Sequence, residues 1–173
     1  MRGGIETILD LMDEAFRGVG LEASNESQAL LTNLASVTAE QWGALPAGAA
    51  RSIASIASHV GSAKLMYDDY AFAGGTLQWG MPEVEPYAST GAMGNVTAWL
   101  EAAHARLVDH VAALPDDTEL DALRLTNWGE ERPTRWILAA MVTHDAYHAG
   151  EINHIRSLLD GDDRWRYVQL GYG

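Results

Sequence analysis

Residues 133–159 read PTRWILAAMVTHDAYHAGEINHIRSLL, and this stretch decides the fold. Pro133 stands where a proline opens a helix, since its missing N–H is one that a first turn leaves unpaired anyway. Ile137, Met141, His144, His148, Ile155 and Leu158 or Leu159 then recur at three- and four-residue steps, the mark of a helix face turned to a core. Asp160-Gly161-Asp162 supplies the stop. Two imidazoles therefore stand four residues apart on one inward stripe, one turn above the other. A divalent metal fits between two such rings, and a third ligand has to come from elsewhere.

Working upstream, three more long helices are predicted. Ile5, Ile8, Leu9, Met12 and Phe16 carry helical spacing over residues 5–17, and Gly18 and Gly20 end that segment. Ser24 or Ser27 caps a shorter helix to about Ser36, burying Leu30, Leu31 and Leu34. Thr38-Ala39-Glu40-Gln41 reads as a capping box for one further turn. Pro46 and Gly48 interrupt the pattern. From Ala50 to Ala73, Ile53, Ile56, His59/Val60, Ala63, Met66/Tyr67 and Tyr70 form an inward stripe, stopped by Gly74-Gly75. Residues 76–89, with Trp79, Gly80, Pro82 and Pro86, form a loop long enough to be functional. Val96, Leu100, Ala103, Leu107 and Val111 mark a helix from Thr90 to Leu114, ended by Pro115-Asp116-Asp117. Residues 118–131 suit an irregular arm or a short hairpin. The aromatic tail (Trp165, Tyr167, Tyr172) is expected to fold back onto the bundle. Four long helices without a strand pattern predict an all-α four-helix bundle with irregular loops and a short C-terminal tail, one domain over residues 1–173.

Composition narrows the function. The net charge of −13 argues against nucleic acid, whose phosphates need a basic surface. No apolar run approaches the roughly 18 residues of a membrane span. The N-terminus lacks the basic and apolar regions of a signal peptide, so a cytoplasmic location is expected. The chain has no cysteine, which removes disulfides, thiolate-ligated zinc and a thiol nucleophile of its own. Any metal is held by nitrogen and oxygen. Lys64 is the only lysine, and with the abundant Ala and Gly it suggests a GC-rich bacterial source.

Of the six histidines, three share the inward stripes: His59, between Ile56 and Ala63, and the pair His144 and His148. Helical bundles build metal sites in this way. Buried neutral imidazoles each carry a donor and an acceptor that need partners. A metal satisfies one nitrogen of each, and the other needs an acceptor. Glu151, three residues past His148, serves as that acceptor, as a ligand or as a proton carrier. A hydrogen-bonded core histidine is the ordinary alternative for His59 taken alone. His104, His110 and His154 fall off the stripes and are expected at the surface or periphery. Gly150, costing a helix about 1 kcal/mol against alanine, implies a close approach there by a ligand, a large side chain or a neighbouring helix.

The order of these motifs resembles the DinB-like superfamily, which includes the YfiT-type hydrolases and the S-transferases that use bacillithiol or mycothiol. The residues that carry the resemblance are Ser55-Ile56-Ala57-Ser58-His59-Val60 and His144-x-x-x-His148-x-Gly150-Glu151-Ile152. The lead-in Asn127-Trp128-Gly129-Glu130-Glu131-Arg132-Pro133-Thr134-Arg135-Trp136 and the helix from Trp136 through Arg156 complete it. The resemblance implies a divalent metal (Zn, Ni or Fe) on His59, His144 and His148, and often a homodimer. It also favours a low-molecular-weight thiol as cosubstrate, whose sulfur attacks a small electrophile. Tyr70, Trp79 and Trp128 are then candidate pocket walls, against their ordinary reading as aromatic core.

Two other functions compete with the transferase. One is hydrolysis by metal-bound water with the same triad. The segment is similar to the His-Glu-x-x-His protease helix, but position 145 is Asp, whose shorter carboxylate reaches a water poorly. The other is a bundle that binds a ligand or partner without catalysis.

Overall fold

A computed structural model of the chain describes residues 1–18, 29–87 and 91–161. The proposed caps Ser24 and Ser27, the stop at Gly20, the start at Thr90 and the aromatic tail lie outside the described residues. The described residues are all-α apart from one small hairpin. The elements are α1 (Gly3–Arg17), α2 (Leu30–Ala35), α3 (Ala39–Trp42), α4 (Ile53–Phe72), α5 (Met93–Ala112), a 3-10 turn (Asp117–Leu120), β1 (Leu123–Leu125), β2 (Glu131–Pro133) and α6 (Thr134–Asp160).

Local chemistry sets the ends. Gly18 and Gly161 close α1 and α6 in the left-handed conformation, with φ of 78° and 72°, which glycine adopts without steric cost. The capping box of α3 is present in full: Gln41 N–H donates to Thr38 Oγ1, and Thr38 N–H donates to the Gln41 side chain. Ser52 caps α4 by accepting from the Ser55 N–H. Residues 118–131 resolve into the last turn of the 3-10 helix and the hairpin, where Leu123 pairs with Pro133 and Leu125 with Glu131. Pro133 is the N-cap of α6, one residue before the first helical position, and the Thr134 N–H donates to the Ala122 carbonyl.

Helices α1, α4, α5 and α6 make the bundle, each packing on two of the others: α1 on α5 and α6, α4 on α5 and α6. A cluster at one end joins Leu30, Leu34, Ile53, Ile56, Leu100, Ile152 and Ile155. Another at the opposite end joins Ile5, Met12, Leu107, Val111, Leu138 and Met141. Between them, at mid-height, lie the buried polar side chains Lys64, His104, Asp145 and His148. The α4–α5 crossing depends on Gly61, where an added Cβ would lie 2.2 Å from the Trp99 ring. No helix among the described residues is long and apolar enough to cross a membrane.

The inward stripe of α6 differs from the predicted one. Its buried residues run Met141, Asp145, His148, Ile152 and Ile155, with His144 half-buried at the edge. His104 is a second correction: it is wholly buried, its ring stacked on Phe16 with centroids 3.8 Å apart, and not peripheral. Helix α5 turns that side toward α1, where an imidazole offers a flat face to an aromatic neighbour. His110 is half-buried, with Nδ1 2.6 Å from Asp68 on α4, and His154 is exposed. Gly150 is exposed, and a Cβ there would meet nothing within 4 Å among the described residues, so neither a helix crossing nor a large side chain accounts for it.

Candidate metal centre

Helix α4 carries His59 and α6 carries His144 and His148, and antiparallel packing of the two brings the three rings together. His144 Nε2 lies 3.3 Å from His59 Nε2 and 3.1 Å from His148 Nε2. One ring nitrogen of each residue falls within 4.8 Å of the others. Nitrogens held about 2.0–2.1 Å from one metal at right or tetrahedral angles sit roughly 3–3.4 Å apart, and the two measured separations match. A single bridging N–H answers only one of these close contacts, whereas a cation takes the lone pairs of all three. The residues present therefore fit a metal.

The protonation pattern agrees. His148 Nδ1 lies 2.8 Å from Glu151 Oε2, which places its proton on Nδ1 and turns the bare Nε2 toward the other rings. Glu151 is held in turn by Arg51, whose Nη2 donates to both carboxylate oxygens at 2.9 and 2.8 Å. Of the three roles open to Glu151 in the sequence, the geometry supports the acceptor. Burial, with the His148 and His59 rings acting the same way, pushes His144 down to about 3. Burial also lowers His59 and His148, against the raising effect of Glu151 on both. All three rings are thus held neutral, the form that ligates.

His148 is buried, while His59 and His144 are half-buried, so one side of the cluster faces outward. Beside that side, the Trp79 ring lies nearly parallel to His59 (14°) with centroids 6.0 Å apart, and Tyr147 meets the buried His148 edge-on at 5.0 Å. Both aromatic rings are exposed. Tyr70 sits farther off, eleven residues past His59 on α4, or about 16 Å along the helix axis. Trp128 packs on Tyr67 and Trp136 at the hairpin instead. Of the three expected pocket walls, the structure brings only Trp79 to the histidines.

Several neighbours were missed in the sequence. Arg51 precedes α4 and nothing in its spacing points to Glu151, a hundred residues later. Tyr147 gave a weak signal, as an aromatic beside His148. Lys64 and Asp145 form a buried ion pair across α4 and α6, Nζ to Oδ2 2.6 Å, with side chains 1 % and 2 % exposed. Burial pushes the Asp145 carboxyl above its usual range, opposed by the charge and hydrogen bond of Lys64 and by His148. The signal available was a sole lysine inside the apolar run Ala63-Lys64-Leu65-Met66.

Known proteins resemble this chain in fold and in sequence profile. No curated protein matches it in sequence. A conserved protein from Enterococcus faecalis, known from its crystal structure, superposes with a TM-score of 0.65 at 15 % identity, over 94 % of this chain and 99 % of that one. That likeness speaks to the fold. The sequence profile of the DinB superfamily matches residues 22–152, a span that holds His59, His144, His148 and Glu151. The chain belongs to the DinB superfamily.

Proposed function

We propose that this chain is a metal-dependent enzyme that transfers a low-molecular-weight thiol onto a small electrophile. One observation carries the reading: three histidine nitrogens converge with no fourth His, Cys, Asp or Glu ligand among the described residues, and one side stays open. Closed four-ligand sets are the rule for structural sites, and three protein ligands with an open position the rule for catalytic ones. A divalent metal (Zn, Ni or Fe) bound there supplies Lewis acidity, which lowers the pKa of a coordinated thiol or water.

The chain's own residues favour thiol over water. Hydrolysis wants a free carboxylate beside the nucleophile to take its proton. Glu151 has both oxygens engaged by Arg51 and one by His148, and Asp145 is turned away toward Lys64. A thiol is far more acidic than water and needs no such base. In the transfer, the S–H proton passes to solvent and the sulfur forms a bond to the electrophilic carbon. The leaving group departs with the electron pair of its former bond. Trp79 stands as an apolar wall beside His59 on the open side, and Glu151, itself bound by Arg51, holds His148 in place.

Elemental analysis of the purified protein beside His144→Ala tests the metal, with about one equivalent expected in the parent and none in the variant. Unchanged metal in both His144→Ala and His148→Ala contradicts the assignment of ligands. A screen of small electrophiles with and without added thiol tests the reaction, with conjugation expected only when thiol and metal are both present. Turnover without thiol, giving the water-derived product, moves the reading to hydrolysis. Full metal occupancy with no turnover of either kind favours the binding module.

A further inference from the structure

Two ion pairs cross from α4 to α6, and they bracket the histidine cluster. Arg51–Glu151 is partly exposed and touches His148 directly. Lys64–Asp145 lies on the other side, fully buried. Asp145 follows His144 in the chain, and Lys64 stands five residues past His59, so the buried pair joins the two helices that supply the ligands. The aromatic ring beside the ammonium attracts it, whereas the carboxylate is short of donors. The Phe16 ring lies 4.9 Å from Lys64 Nζ, with His104 stacked on that ring, and Asp145 Oδ1 accepts no hydrogen bond among the described residues.

A buried ion pair is weak evidence of stability, because desolvation offsets the attraction and well-packed apolar residues often do as well. Apolar packing, however, lets two helices slide or rotate by fractions of an ångström at little cost, and a directed bond does not. The best-attested use of such a pair is to fix register. Resting on the metal-centre reading, we propose that Lys64 and Asp145 are positioning residues: their bond sets α4 against α6 so that the three Nε2 atoms converge at the separations of a metal site. The chain's only lysine is thus placed where it controls ligand geometry rather than net charge.

The proposal separates stability from metal affinity. Lys64→Met and Asp145→Leu singly each strand a buried charge and are expected to lower the melting temperature sharply. The double variant Lys64→Met/Asp145→Leu removes both charges and is expected to fold with a melting temperature near the parent's. Co2+ is the probe, with its affinity and its visible ligand-field spectrum as readouts. The double variant is expected to bind Co2+ at least tenfold more weakly, with an altered spectrum. Affinity and spectrum equal to the parent's in a folded double variant overturn the proposal.

The variant Lys64→Gln/Asp145→Gln keeps the combined side-chain length and a hydrogen bond without charge, and serves also if the apolar pair does not fold. It is expected to hold Co2+ within about threefold of the parent, and a tenfold loss there overturns positioning by the bond. A parent that binds no Co2+ overturns the metal-centre reading itself, which keeps the two failures apart.

Discussion

At His148 the imidazole meets Glu151 through Nδ1 and the other two rings through Nε2, so the carboxylate decides where the proton sits. Removing it frees the ring to rotate and to change tautomer, and strands the Arg51 guanidinium. Loss of such a supporting acceptor costs about 10–100-fold in metal affinity. Glu151→Ala is expected in that range by competition with a chelator, and an affinity within twofold of the parent contradicts it. His104 offers a test through pH. Burial drives it down to about 2, and both ring nitrogens are buried without hydrogen bonds among the described residues. The folded state keeps it neutral while the unfolded chain takes a proton below about pH 6.5. Its contribution is therefore fully present above that value and falls as pH drops, by about 1.4 kcal/mol per pH unit, until the folded pKa is reached. His104→Leu is expected to flatten the acid limb of the stability profile by that slope. It is also expected to raise stability at pH 7 by about 1 kcal/mol or more, since no unpaired buried nitrogen remains. Denaturant unfolding from pH 7 to pH 5 measures both, and an unchanged slope shows that His104 is paired.

Among the elements, two glycines make opposite cases. Gly150 lies on the exposed side of α6 with open space where a Cβ would be, so it carries only the intrinsic penalty of glycine in a helix. Gly150→Ala is expected to stabilise the bundle by up to about 1 kcal/mol. Gly61 is filled by the Trp99 ring, and Gly61→Ala is expected to destabilise by about 1–3 kcal/mol as α5 is pushed off α4. Thermal unfolding of the two variants should move in opposite directions. Sequence spacing alone does not tell these glycines apart, because both sit inside helical patterns and only the neighbouring helix distinguishes them. The helices themselves were legible, since each long one carries its own periodicity and its own stop. The inward face of α6 was less so. Met141, Asp145, His148, Ile152 and Ile155 follow alternating four- and three-residue steps, and a stripe drawn through apolar residues and histidines alone passes over Asp145. Burial of that carboxylate is decided by Lys64 on α4, a partner that no local pattern supplies.

Over the whole molecule, two apolar clusters are joined through a polar layer, and the candidate centre belongs to that layer. The triad was legible because, in a chain without cysteine, histidine is the titratable residue that best suits an inward stripe and also ligates metal. What the layer does for the fold was not, since it depends on four helices meeting at one height. Apolar contacts hold each end, while in the middle α4 and α6 are tied by His59, His144 and His148 together with Lys64 and Asp145. A metal bound to the triad would cross-link α4 to α6 between the two clusters, and binding to the folded state alone stabilises by mass action. At a free metal concentration about 100 times Kd the gain is about 2.7 kcal/mol, which for a domain of this size raises the melting temperature by roughly 5–10 °C. Calorimetry of the metal-loaded and chelator-treated parent is expected to show that shift in one transition, because the cross-link spans both halves. The same treatment of His144→Ala is expected to leave its melting temperature unmoved. Equal shifts in parent and variant place the metal elsewhere on the acidic surface. A shift that splits the transition in two shows that the clusters unfold separately and that the centre stabilises only one.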